Sequence, residues 1–195
     1  WIEIPVTKRA SVAIRNDQGG KIPATTFLRA CSPEFSTNED IIRVFYETAE
    51  VKLSGADEEQ LIGRVVVKDI VDPTKNEKIL AGGQRIAKGM LKIMEEAGLK
   101  TVEIIPKSAT EDNLILNTLE EDDTHSHEEA LLKIYGRLRP GNPPQIDKAR
   151  ALFHEKFFDP ARSRLGRVAR FRLNRKFGLD IPETEQTLLP RDIVN

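Results

Sequence analysis

Arg162, Arg164, Arg167, Arg170, Arg172, Arg175 and Lys176 crowd a short stretch near the end of this 195-residue chain. Guanidinium groups present forked donors that match phosphate oxygens, so a cluster of them suits a polyanion. The charge balance isolates the same region. Residues 137–176 hold 12 basic and 3 acidic side chains, residues 1–136 hold 17 and 24, and residues 177–195 hold 1 and 4, although the whole chain carries only −1. Nucleic acid is the partner such a block fits, with a solvated face or an acidic protein surface as alternatives. Trp1 adds a π face on which an unpaired base could stack, worth about 1–3 kcal/mol. Its bland alternative is a partly buried core aromatic.

Other chemistries find less support. Asp122-Asp123-Thr124-His125-Ser126-His127-Glu128 offers imidazole and carboxylate ligands, and a small metal hydrolase using Asp123, His125 and His127 is one candidate reading. Its spacing is poor for a closed site, and Ser126 with the two glutamates after it already suits a helix start. His154 lacks a histidine four residues on, where Phe158 stands, so it reads as helix surface. Cys31 has no histidine nearby in sequence and reads as a small buried hydrophobe. Gly19-Gly20 and Gly82-Gly83 fall outside the phosphate-loop patterns and read as turns. No Gly-x-Ser-x-Gly elbow is present.

The elements that must position these residues are mixed. Trp1–Ile4 and Ser11–Ile14 read as strands, with Gly19-Gly20 at a hairpin tip. Ser36-Thr37-Asn38-Glu39 has the spacing of a capping box, leading into a helix of about ten residues with Ile41, Val44 and Phe45 on one face. Residues 61–105 read as strand, strand, helix, strand, with Gly98 capping the helix, and the acidic run 119–123 follows as a separating loop. Beyond it, one helix runs from Glu128 to about Arg139 and stops at Pro140. The next opens after Asn142-Pro143-Pro144, with Ile146, Ala149, Phe153 and Phe157 on one stripe. The expected class is α+β: a mixed helical lobe with short antiparallel strands, residues 1–60 and 106–195 forming its core and 61–105 a small insert. Apolar residues at 39% and charged residues at 31% describe a soluble globular chain. No apolar run approaches the roughly 18 residues of a membrane span, and the single cysteine fits a reducing cytosol. Trp1 in place of an initiator Met suggests a piece of a longer polypeptide.

The wording of the chain narrows this further. Trp1-Ile2-Glu3-Ile4, then Lys21-Ile22-Pro23-Ala24-Thr25-Thr26-Phe27-Leu28-Arg29-Ala30, resembles the β subunits of bacterial RNA polymerase. So do, in order, Ile134-Tyr135-Gly136-Arg137-Leu138-Arg139-Pro140-Gly141-Asn142-Pro143-Pro144, Leu152–Phe158 and Gly166–Lys176. The resemblance spans nearly the whole chain and implies the β lobe, one wall of the DNA cleft, with 61–105 as its insert. It implies that Trp1 and Asp17 belong to a pocket stacking a non-template base near the start site, where Gln18 replaces the arginine expected beside it. Arg139 and Arg162 match arginines lining the cleft near the non-template strand or sigma factor, and Arg170 and Arg172 join them as expected nucleic-acid contacts. Ser163 stands where the family has tyrosine, and Ala169 where it has glycine. The implied partners are downstream duplex and non-template DNA, the β′, α and ω subunits, and sigma factor, with no membrane, in a cytoplasmic, nucleoid-associated enzyme. The magnesium-binding motif lies in β′, so this portion would hold no cofactor and make no RNA alone. The alternative is a protein-interaction module that binds sigma or other factors without touching DNA.

Overall fold

The computed structural model describes residues 2–16, 20–107, 112–162, 164–187 and 192. The chain is α+β, as expected. Three short strands open it: β1 (Ile2–Glu3), β2 (Ala13–Asn16) and β3 (Ile22–Pro23) form an antiparallel sheet in that order, with Ile2 opposite Asn16 and Ala13 opposite Pro23. Residues 17–19 of the expected hairpin tip lie outside the described residues. Pro23, at φ −55°, turns the chain directly into α1 (Ala24–Cys31), whose residues 25–30 are all buried.

A turn of 3-10 helix over Pro33–Phe35 precedes α2 (Asn38–Phe45). Its capping box is one residue later than the spacing suggested: Thr37 Oγ1 accepts from the Asp40 N–H at 3.1 Å, and Asp40 Oδ2 accepts from the Thr37 N–H at 2.9 Å. Ser36 closes the 3-10 turn at φ −67°, so it lacks the extended backbone of a cap, and its hydroxyl instead accepts from the His127 N–H at 3.0 Å. The eight-residue helix buries Ile41 and Ile42 in a cluster with Leu116, Leu119, Val65 and Val67, leaving Val44 and Phe45 exposed, contrary to the expected face.

The middle of the chain folds around a second core. β4 (Ala49–Lys52) pairs antiparallel with β7 (Thr101–Ile104), drawing residues before 61 into the same packing unit; α3 (Glu58–Leu61), the hairpin β5 (Ile70–Val71) and β6 (Lys78–Leu80), and α4 (Met90–Glu96) lie between them. Residues 65–67 form a shared wall. Val65 and Val67 pack with Ile41, Ile42 and Leu119, while Val66 packs with Leu53, Met94 and Ile104, as the two-residue side-chain alternation of extended backbone requires. Gly98, at φ +79°, ends the α4 turn as expected.

Gly82 is required for a different reason. A Cβ there would lie 2.7 Å from the Val67 carbonyl oxygen, a backbone atom that cannot swing aside. Gly82→Ala is therefore expected to destabilise the packing of this segment against Val67 by about 1–3 kcal/mol, read as a lowered urea midpoint with an unchanged slope; an unchanged midpoint would show that the two segments separate freely.

The remaining helices are α5 (Leu114–Glu121), α6 (His127–Leu138), α7 (Ile146–Phe157) and α8 (Arg167–Phe177). Residues 119–121 of the expected acidic loop instead form the end of α5, and Asp122, its C-cap, is buried along with Leu119. The α7 stripe is as expected: Ala149, Phe153 and Phe157 are buried with Phe27 of α1 and Ile134 of α6, and the Phe27–Phe157 rings meet edge-on at 5.0 Å. Aromatic edges carry positive partial charge and faces negative, so this geometry adds to simple area burial. Among the described residues, no helix is long and apolar enough to cross a membrane.

Candidate nucleic-acid interface

Arg139 and Arg162, 23 positions apart in sequence, line one surface groove of about 330 Å³ together with Leu138, Leu152, Glu155 and Lys156. The fold brings them there by local rules. Ser126 starts α6 by accepting from the Glu129 N–H at 3.2 Å, and twelve residues later the helix ends with the Arg139 N–H donating to Tyr135 O at 2.8 Å. α7 packs on α6 through the Phe153/Ile134 core, which brings its last turn, with Glu155 and Lys156, to the same groove. Arg162 follows in a turn whose N–H donates to Asp159 O at 3.0 Å.

Three lining side chains are cationic and one is acidic. Arg162 Nη2 lies 2.6 Å from Glu155 Oε1, with both side chains well exposed. Exposed pairs of this kind contribute little, about 0–1 kcal/mol, so a phosphate can displace the carboxylate at small cost. Leu138 and Leu152 supply an apolar floor. The arrangement can hold an anionic backbone against a ledge, and sequence reasoning had not singled out Lys156 or Glu155 for it.

The N-terminal hairpin adjoins this groove. Ile14, Gly20 and Ile22 line a smaller cavity with Phe27, Arg137 and Leu138, and Leu138 belongs to both cavities. A Cβ on Gly20 would approach Arg137 Nη1 to 3.3 Å. The strands on either side of residues 17–19 thus rest on the end of α6 that carries Arg137 and Arg139. Trp1, Asp17 and Gln18 themselves lie outside the described residues.

Arg170 and Arg172 point to different duties. Arg172 is exposed on α8. Arg170 is fully buried: Nη1 donates to Asp192 Oδ2 at 2.9 Å, Nε to Glu185 O at 3.2 Å, and Nη2 to Thr187 O. Its guanidinium ties α8 to the segment that follows, and it is corrected from an expected DNA contact to a structural brace. In sequence it is one arginine among several, and nothing local separates it from Arg172.

The end of α6 is positioned from its start by a buried polar hub. Asp122 Oδ2 accepts from Thr25 Oγ1 at 2.7 Å and Arg29 Nε at 3.3 Å, and Oδ1 accepts from Thr26 Oγ1 at 2.8 Å and from the Thr124 hydroxyl and N–H at 2.6 and 3.0 Å. Burial alone would raise this carboxyl's pKa, but the bonds from Thr124, Thr25 and Thr26 outweigh it and hold the group below the usual carboxylate range. Arg29 also donates to Ser36 O and Asn38 Oδ1, and its carbonyl accepts from His127 Nδ1 at 2.7 Å. His127 is therefore a buried helix anchor. Asp123 pairs with Lys133, and among the described residues no three His, Cys, Asp or Glu side chains gather as metal ligands. Cys31 is half-buried against the aromatic core, where desolvation pushes its thiol pKa up and suppresses the nucleophilic thiolate.

The chain is similar to known proteins throughout. A family model described as RNA polymerase Rpb2, domain 2, matches residues 102–195. The DNA-directed RNA polymerase subunit beta of Rhodopirellula baltica is 47% identical across 100% of this chain, which corresponds to 16% of that protein. That of Leptospira biflexa is 31% identical over 100% of the chain and 16% of its own length, and that of Chlamydia pneumoniae is 38% identical over 92% of the chain and 14% of its own length.

Proposed function

Since the chain belongs to the β subunits of bacterial DNA-directed RNA polymerase, we propose that it forms a noncatalytic wall of that enzyme's DNA cleft and holds the downstream duplex and the non-template strand during initiation. The chain spans 16% of the length of its Rhodopirellula relative, so nucleotidyl transfer, the β′-held magnesium and assembly with β′, α, ω and sigma are proposed for the whole enzyme. The observation that carries the reading is the convergence of Arg139 and Arg162 on one open groove beside the hairpin. Arginine donors would grip backbone phosphates without regard to sequence, and any stacking of a splayed base on Trp1 would supply the start-site preference.

The double variant Arg139→Ala, Arg162→Ala in the intact polymerase is expected to weaken open-complex binding. The slope of log affinity against log salt should become shallower by about 1.4, two contacts' worth for single-stranded DNA. Arg43→Ala, at a side chain already held by Glu39 and Glu103, should leave that slope unchanged. An unchanged slope in the double variant would rule out phosphate contact at the groove.

A second reading, docking of sigma or another factor, is favoured by α8, where Val168 and Phe171 are 66% and 50% exposed one turn apart. Loss of DNA crosslinking in the double variant with factor binding intact would separate the two.

A further inference from the structure

A second basic pocket, sharing no lining residue with the Arg139–Arg162 groove, lies where the end of β7 meets the segment before α5. It has a volume of about 230 Å³, and Arg64, Arg85, Lys107, Gly63, Val65 and Asn113 line it. Its walls are built from paired backbone: Ile105 N–H donates to Val65 O at 3.0 Å, Ile86 N–H to Arg64 O at 2.8 Å, and Gly63 N–H to Ile86 O at 2.8 Å. The guanidinium of Arg85 donates to Gly63 O at 2.9 Å and Asn113 Oδ1 at 3.0 Å, and Arg64 Nε donates to Gln60 O at 3.2 Å. These acceptors are all neutral, so they orient the two forks without cancelling their charge. Among the described residues, none of Arg64, Arg85 and Lys107 forms an ion pair with a carboxylate. Among the described residues that line it, three thus carry positive charge and none negative, and each arginine keeps further donors.

We infer that this pocket binds a small phosphate-bearing anion. Two oriented guanidinium forks and one ammonium match the oxygens of a phosphoryl or diphosphoryl group. Among the described residues, no aromatic side chain lines the pocket, so a base would find no stacking platform there. Residues 1–136 carry a net −7, which repels a long polyanion lying across the surface, whereas a small anion within a Debye length of the pocket meets mainly its local positive field. The inference does not depend on the DNA groove, and each can fail without the other.

The test uses intact polymerase containing this chain, with hydrogen exchange read at the Gly63, Val66 and Ile86 amides, so that binding of the same probe elsewhere in the enzyme does not register. Inorganic pyrophosphate is expected to slow exchange at these amides saturably. Lys107→Gln, at an exposed side chain, and Arg64→Gln should each raise the half-saturating concentration about tenfold or more. No slowing by pyrophosphate would overturn the proposal. Equal slowing by sodium chloride at matched ionic strength would also overturn it, showing an adventitious ion only, as would slowing by a thymidine octanucleotide without slowing by pyrophosphate.

Discussion

Asp122→Ala is expected to cost about 3–5 kcal/mol, because it strands Arg29 as an unpaired buried charge and empties the acceptors of Thr25, Thr26 and Thr124. Both Asp122 and Arg29 side chains are wholly inaccessible, at 3.3 Å from each other. The loss should appear as faster hydrogen exchange in α1 and at the start of α6, and as a lower denaturation midpoint. A change below about 1 kcal/mol would mean that Arg29 finds compensation elsewhere. The pH dependence follows from the same bonds. The folded carboxyl titrates below its unfolded value, so its contribution is complete above about pH 4 and disappears as pH falls through the lower, folded value. The parent chain should therefore lose stability on acidification more steeply than Asp122→Ala, which has no such group to protonate. Because α6 runs from this hub to Arg139, twelve residues and about 18 Å of rigid helix, the same substitution should also blunt the proposed grip of the groove on DNA.

Arg170→Ala should release α8 rather than weaken a phosphate contact. The guanidinium joins Asp192 and the carbonyls of Glu185 and Thr187, three anchors on the segment that folds back over the helix. Removing one partner of a buried ion pair costs about 3–5 kcal/mol. Here the loss should be local, with faster exchange across 167–177 and little change in α6 or α7. Arg170→Lys should rescue it poorly, since one ammonium cannot span three separated acceptors as the fork does. A salt-dependent DNA defect with α8 exchange unaltered would reverse this assignment and return Arg170 to the interface.

How much of this was readable beforehand depended on distance along the chain. The α7 stripe of Ile146, Ala149, Phe153 and Phe157, the stop at Pro140 and the Gly98 cap are statements about neighbours within one or two turns, where helical spacing and backbone freedom decide the outcome. The capping box slipped by one residue because Ser36 and Thr37 are equivalent as cap chemistry. The choice was made by the 3-10 turn before them and by the His127 N–H arriving from 91 positions away. The acidic run failed for a similar reason: a chain of carboxylates ordinarily reads as solvated loop, but Asp122 was recruited by Thr25, Thr26 and Arg29 from the other end of the core.

By itself the sequence determined the family, the α+β class, the α7 stripe and the stop of the helix before Pro140, and the concentration of positive charge in 137–176, since each is written in residue order and composition. Only the tertiary structure decided which arginines face outward. Arg139 and Arg162 meet across a groove, Arg170 turns inward to a carboxylate, and Arg64 and Arg85 gather in a pocket built from three separate segments. The guanidinium is the same in each case. Whether it meets water, a carboxylate or a neutral carbonyl is set by what folding brings beside it, and that depends on contacts between residues far apart in the chain.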